Sequence, residues 1–163
     1  MAFLETERLI LRTWMPSDAD AWLAIASQPE VARYIPSVRP PARLDVDAWI
    51  ARQMDEQEHE GFSVWPVLRK DDGALIGRCG LHRMPGGDVE IAWAFDMRVW
   101  GQGYATEAAR AVLAFAATQL RLPRVAALVD PRNVRSIALA HRLQMRFDRV
   151  VRAYRRDLLR YLV

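Results

Sequence analysis

A chain of 163 residues, 52% apolar and with a formal charge of +3, is the right size for one domain with a sizeable core. Its lone cysteine, Cys79, excludes an internal disulfide, and no Cys/His cluster has metal-ligand spacing. No run of 18 apolar residues suits a membrane span, and charges throughout Met1–Arg12 leave no signal-peptide core. The expectation is a single soluble, cytoplasmic domain over residues 1–163, with no metal and no membrane contact.

Charge is unevenly spread. Residues 1–120 carry 12 basic and 17 acidic side chains, a net of −5, whereas residues 121–163 carry 11 arginines against Asp130, Asp148 and Asp157, a net of +8. Such a basic end suits a polyphosphate ligand or RNA, and equally a solvated face with no partner.

In chain order, Arg8–Trp14 reads as a first strand. Pro16-Ser17-Asp18-Ala19-Asp20 reads as a helix start, with Ser17 as N-cap and Asp20 closing a capping box. Trp22, Leu23, Ile25 and Ala26 give this helix an apolar face, and Pro29 lies just past its end. The proline-rich segment Tyr34–Pro41 is a loop. A second helix is expected from about Asp45 to Glu60, with Val46, Trp49, Ile50 and Met54 on one side. Three strands follow at Phe62–Leu68, Ala74–His82 and Val89–Phe95. Their Asp-Gly and Gly-Gly-Asp turns predict an antiparallel meander, with Cys79 as a core thiol.

The stretch Val89–Arg110 organises the rest. Its strand alternates Val89, Ile91, Trp93 and Phe95 with Glu90, Ala92, Ala94 and Asp96. It turns through Trp100-Gly101-Gln102-Gly103-Tyr104-Ala105 and leaves as a helix whose apolar positions run through Ala108, Ala109, Val112, Leu113, Phe115 and Ala116. Glycines that admit a close approach, followed by first-turn N–H groups without helical partners, outline an anion site. A tight turn with no ligand, stabilised by Glu107 at the positive end of the dipole, fits the same residues. No Walker-type loop occurs. A dinucleotide fingerprint fails at Thr106, where a third glycine belongs. Beyond the helix, Arg124–Val129 is a continuous apolar strand expected to run parallel to Val89–Phe95. A helix at Ser136–Leu143 and strands near Phe147–Ala153 and Leu158–Val163 close the chain.

With this order of elements, W-G-x-G-Y-A-T-E-A at 100–108 and D-P-x-N-x-x-S at 130–136 resemble the GNAT superfamily of N-acetyltransferases. The segments TERLILR (6–12), PEVARYI (29–35), FSVWPVL (62–68), LIGRCGL (75–81) and RDLLRYLV (156–163) resemble its RimJ/RimL-like branch, which acts on ribosomal-protein N-termini. The resemblance implies an α/β (α+β) fold with a mixed, splayed, mostly antiparallel sheet of six to seven strands and helices on both faces. It implies acetyl transfer from acetyl-CoA, as cosubstrate, to a primary amine by direct attack. The loop Gly101, Gln102, Gly103, Tyr104, Ala105 and Thr106 would hold the pyrophosphate. Trp93, Ala94, Phe95 and Asn133 would meet the pantetheine arm, and Arg98 is a lesser candidate from an alternative register.

For the chemistry, the resemblance points to Glu90 as base, in a water-accessible slot, with His82 as second candidate. Ser136 is either a donor to the leaving thiolate or the cap of the last helix, and His141 lies near the phosphates. Two departures stand out. Ala140 occupies the position where a tyrosine acid is common, and Gln144 replaces a glycine, which predicts a differently shaped turn there. The acceptor is a small-molecule or peptide amine, with ribosomal proteins among the candidates and nucleic acid disfavoured, and the chain is a monomer or homodimer. The rival reading is a catalytically weak acyl-CoA-binding or RNA-associated module.

Overall fold

The computed structural model describes residues 2–36 and 41–163, so Ser37–Pro40 of the proline-rich loop lie outside the described residues. Eight strands form one sheet: β1 (Ala2–Glu5), β2 (Leu9–Arg12), β3 (Val64–Arg69), β4 (Leu75–Arg83), β5 (Val89–Phe95), β6 (Ala126–Val129), β7 (Arg146–Ala153) and β8 (Arg156–Leu162), in the order β1-β2-β3-β4-β5-β6-β8-β7. The helices are α1 (Ala19–Ala26), α2 (Pro29–Ala32), α3 (Arg43–Glu60), α4 (Tyr104–Thr118) and α5 (Val134–Arg142). The sheet has one strand more than the upper expectation because β1, four residues on an edge, is too short to announce itself by alternation.

The meander β3-β4-β5 forms as its turns predict, and α4 carries the chain from β5 to a parallel β6. Those parallel strands pair only at Glu90 with Ala126. Past that point they diverge, leaving the β6-facing edge of β5 open. This opening positions everything that follows.

Period-two alternation sorts β4 and β5 onto two faces. Cys79, Leu81, Ile91 and Phe95 pack into one apolar cluster with Ala108, Ala109, Val112 and Ala116 of α4, whose small side chains let the helix lie close. Burial pushes the Cys79 thiol pKa up, so it is an unreactive core group, as expected. The opposite face presents Arg78, Gly80 and His82 from β4 opposite Ala94, Ala92 and Glu90 from β5. It is roofed by α1 and α3 through a second cluster built on Trp14, Trp22, Val46 and Ile50.

Three local expectations are corrected. The turn into α1 is organised by Asp18 rather than Ser17: its carboxylate accepts from the Met15 amide at 2.9 Å and pairs with Arg12 at 2.7 Å. A carboxylate beside a partly buried arginine holds the turn more strongly than a hydroxyl could. The last helix is capped by Asn133, whose Oδ1 accepts from the Ser136 amide at 3.1 Å, so Ser136 is not the cap. After α5, Gln144 takes φ 60°, the left-handed conformation a glycine would adopt, so the turn is not reshaped as expected and Gln144 bears the steric cost.

Candidate active site at the divergence of β5 and β6

A continuous cleft of about 2000 Å³ runs from the start of α4, across the open edge of β5, to the space under α1 and α3. At one end, Gly101 and Gly103 take φ 79° and 84°, so both need the left-handed freedom of glycine. The backbone N–H groups of residues 101 to 106 make no hydrogen bond to the described residues; the first α4 amide to find a carbonyl is Glu107, bonded to Gly103. Six consecutive donors at a helix start make a site for a polyphosphate-type anion.

The loop is held from behind. Arg8 donates to the Gln102 carbonyl at 3.0 Å and to Glu107 at 2.7 Å, while its guanidinium lies 4.3 Å from the Tyr104 ring centre. Thr6 and the Arg8 amide complete the Glu107 carboxylate at 2.5 and 2.9 Å. Burial alone would raise the Glu107 pKa, but these bonds outweigh it and hold the group below its usual range. Glu107 is therefore a brace to the β1–β2 turn more than a dipole partner. Trp100 donates to the Phe95 carbonyl at 2.9 Å and is covered by Arg135 at 4.9 Å, joining the loop to the end of β5.

In mid-cleft, Trp93 Nε1 donates to Ser136 Oγ at 3.0 Å. Because the indole can only donate, the Ser136 hydroxyl keeps its own hydrogen free. Asn133 and Ser136 both line the cleft opposite the open edge of β5.

Beyond them stands a cluster of titratable groups. Glu90 is only 5% exposed, and its Oε2 meets His82 Nε2 at 2.7 Å and the Tyr154 hydroxyl at 2.9 Å. Its Oε1 receives no hydrogen bond from the described residues. Burial first, then the Glu90 charge, raises the Tyr154 pKa, so the phenol stays protonated and donates. Tyr154 reaches this position from a two-residue turn between β7 and β8, where it and Arg155 take φ 50° and 62°. Two successive non-glycine residues in the left-handed region cost energy that a tyrosine in a site can justify.

The sequence pattern of the acetyltransferase (GNAT) domain matches residues 8–146. The chain belongs to that family. An N-acetyltransferase of Bacillus licheniformis, p20, is 30% identical over 157 residues, covering 94% of this chain and 88% of that protein. An acetyltransferase structure from Agrobacterium tumefaciens superposes with a TM-score of 0.87 at 25% identity, over 98% of this chain and 92% of that one. Mycobacterium smegmatis RimJ, solved with CoA-disulfide, shares the fold with a TM-score of 0.81 at 22% identity, over 95% of this chain and 81% of that one. The GNAT fold and an acetyltransferase activity follow, and the family uses acetyl-CoA as cosubstrate.

Within this GNAT domain the structure gathers Glu90, Trp93, Ala94, Phe95, Gly101, Gly103, Tyr104, Ala105, Thr106, Asn133 and Ser136 along one cleft. Gln102 contributes its amide, but its side chain turns back to the Arg98 carbonyl. Arg98 is not brought to the cleft: its side chain is 78% exposed and forked onto Asp96. His141 packs against Tyr161 outside the cleft. Glu90 lines the cleft with only 5% of its surface exposed. It lies under Tyr154, because the β7–β8 hairpin folds over the end of β5. The basic end is also less of a phosphate trap than its charge suggests, since Arg124, Arg132, Arg152, Arg156 and Arg160 are paired with carboxylates. Sequence reasoning missed Tyr154, Arg78 and the Arg8 brace. For Tyr154 a signal existed: the expected terminal strands end at Ala153 and resume at Leu158, which places that residue in the turn of a hairpin.

Proposed function

We propose that this GNAT acetyltransferase acts in the cytoplasm on a primary amine, with the pyrophosphate of acetyl-CoA on the amides of residues 101 to 106. The pantetheine arm would lie along the open edge of β5 near Trp93 and Ala94, facing Asn133. The observation that carries this reading is one continuous cleft with unpaired N–H donors at one end and a buried proton-accepting group in the middle. Bound acetyl-CoA supplies the activated acyl group and a thiol leaving group.

This chain's residues supply the proton handling. The ammonium must first give one proton to a base so that its nitrogen lone pair can bond to the acyl carbon. As the carbon–sulfur bond breaks, the nitrogen gives up a second proton, which balances the departing thiolate. Glu90 has Oε1 free for the first, directly or through water, and His82 at 2.7 Å from the same carboxylate forms one proton-accepting pair with it. Tyr154 donates to Glu90 and keeps the pair oriented. The free hydroxyl hydrogen of Ser136 serves the departing thiolate. With Ala140 fully buried, no side chain from that position could do so. A thiol with pKa near 8.5 needs only modest help to leave. A small-molecule amine and a protein N-terminus are the two acceptor classes, the second supported by the fold shared with RimJ.

Release of free thiol from acetyl-CoA against a panel of amines and N-terminal peptides tests the reading. Amine-dependent turnover with saturable coenzyme A binding is the expected result. Binding without turnover for any amine would favour a catalytically weak acyl-CoA-binding module.

A further inference from the structure

Arg78 sits on the same sheet face as His82, two pleats along β4, and lines the cleft beneath α1 and α3. Its guanidinium lies 4.9 Å from the Trp22 ring centre and 4.6 Å from that of Trp49. Those indoles are themselves packed together and against Trp14, which holds the guanidinium in place. Such ring contacts satisfy none of its five N–H donors. Among the described residues Arg78 makes no hydrogen bond and no ion pair, and its Nε is withdrawn from solvent without a partner.

This is unusual for the molecule. Two other arginines with half-buried or buried side chains are matched: Arg12 by Asp18, and Arg160 by Asp88 and Asp148. A partly desolvated guanidinium costs free energy unless an anion meets it. Consistent with that, loss of water pulls the Arg78 pKa down to about 10 even though the charge of Glu90 acts to raise it. Glu90 is thus near enough to be felt and too far to pair.

We infer that the acceptor amine carries a carboxylate, an amino acid or similar small amino-carboxylate, whose carboxylate is received by the fixed fork of Arg78 while its amine lies toward Glu90 and His82. The register supports the geometry. Arg78 pairs with Ala94 and His82 with Glu90. These two pairs are four residues apart, about 13 Å along the strands at the usual rise. Arg78 and Glu90 share one face, and the Glu90 charge is felt at Arg78 without pairing to it, which leaves room for a compact zwitterion with its charges oriented positive toward Glu90 and negative toward Arg78. A peptide N-terminus has an amide where the amino acid has its carboxylate, and offers a bidentate guanidinium only a carbonyl oxygen.

This inference rests on the acetyl-transfer reading, and the experiment separates the two. Thiol release from acetyl-CoA is measured with the twenty amino acids, with the carboxamide and the decarboxylated amine of each one that reacts, and with short peptides. Wild-type protein should prefer the acid over its own carboxamide by roughly 10- to 100-fold in kcat/KM, expressed mainly in KM. Arg78→Met should lower kcat/KM for the acid far more than for its carboxamide, so that the preference collapses, with coenzyme A affinity unchanged, and Arg78→Lys should recover part of the preference. Carboxamides or peptides accepted as fast as acids would overturn the inference and leave acetyl transfer standing. So would an Arg78→Met loss that falls equally on acid and amide. The acid-to-amide ratio is measured on wild-type protein, so it decides the matter even if Arg78→Met folds poorly. No turnover with any amine would overturn both readings together.

Discussion

On one side of the β5–β6 divergence the cleft is lined by main chain, and on the other by side chains drawn from five separate elements of the fold. The proposed coenzyme end is built of two glycines, a helix start and a brace from Arg8, and nearly all its donors are backbone amides of consecutive residues. The acceptor end is assembled from Arg78 and His82 of β4, Glu90 of β5, the indoles of α1 and α3, and Tyr154 from the β7–β8 turn. A ligand common to a whole family can be held by backbone, which tolerates side-chain change. An acceptor particular to one member has to be read by side chains.

The sharpest way to test that division is to remove basicity at the acceptor end alone. Glu90→Gln preserves shape and the bond from Tyr154 but cannot take a proton, so turnover with the true acceptor should fall about 10²–10⁴-fold with coenzyme A affinity unchanged. The deficit should shrink as pH rises and the free amine no longer needs a base. Near-normal turnover at all pH values would make Glu90 structural. A full effect in His82→Gln with a mild one in Glu90→Gln would move the proton-accepting role to the histidine.

The converse change touches only the coenzyme end. In Gly103→Val the added Cβ would meet nothing closer than Arg8 Nη2 at 3.4 Å, so the protein itself has room. The penalty comes from φ 84°, which a β-branched residue resists, and from the resulting displacement of the amides. Coenzyme A affinity by calorimetry should drop roughly 10- to 100-fold in a folded variant, a loss of hydrogen bonds to a charged ligand. Wild-type affinity would mean the pyrophosphate lies elsewhere.

The same division explains what could be read from the chain. The loop was legible because its determinants are contiguous: W-G-x-G-Y followed by small helical residues names both the turn and the close packing of α4. The meander and the parallel crossover were legible because each turn carries its own Gly or Asp signal. Arg78 looks from its surroundings like any polar position in a half-buried strand, and only the tertiary position of Trp22 and Trp49 makes it an unmatched cation. Tyr154 lies 64 residues from Glu90, and no local pattern joins them. Arg98 fits the written motif equally well in the other register. What removes it is Asp96 two residues before, which caps the short turn after β5 and takes the guanidinium.

That Asp96 turn fixes where β5 ends, and it sets a smaller effect on stability. The Arg98 guanidinium, joined by the Arg98 amide and Gln28, holds the Asp96 carboxyl at about 2 against the opposing effect of burial. Its folded pKa lies below the unfolded value, so the contribution is full above about pH 4 and is lost as pH falls toward 2. At neutral pH it is on the order of 2 kcal/mol. Urea midpoints should place Asp96→Asn below wild type at pH 7 and bring the two together near pH 2. A gap that persists at pH 2 would mean the turn is held by shape, not by the ion pair.

The smallest expected effect contrasts the screening of the two ends. Arg8, Arg110, Arg135 and Arg142 border the cleft around the loop. Arg8 keeps 40% of its side chain exposed, so charges at this end act through water on a polyphosphate. The Debye length shrinks from about 10 Å at 0.1 M salt to 3 Å at 1 M, and coenzyme A affinity should weaken a few-fold across that range. Arg78 acts at contact distance beside two indoles, with its Nε out of solvent, so a carboxylate held there is screened less. The preference for an amino acid over its carboxamide, measured at saturating acetyl-CoA, should therefore stay level over the same salt series. If both fall together, Arg78 is reached by solvent and is one more member of the surrounding basic field. If neither falls, the amides of residues 101 to 106 hold the pyrophosphate with no help from the arginines around them.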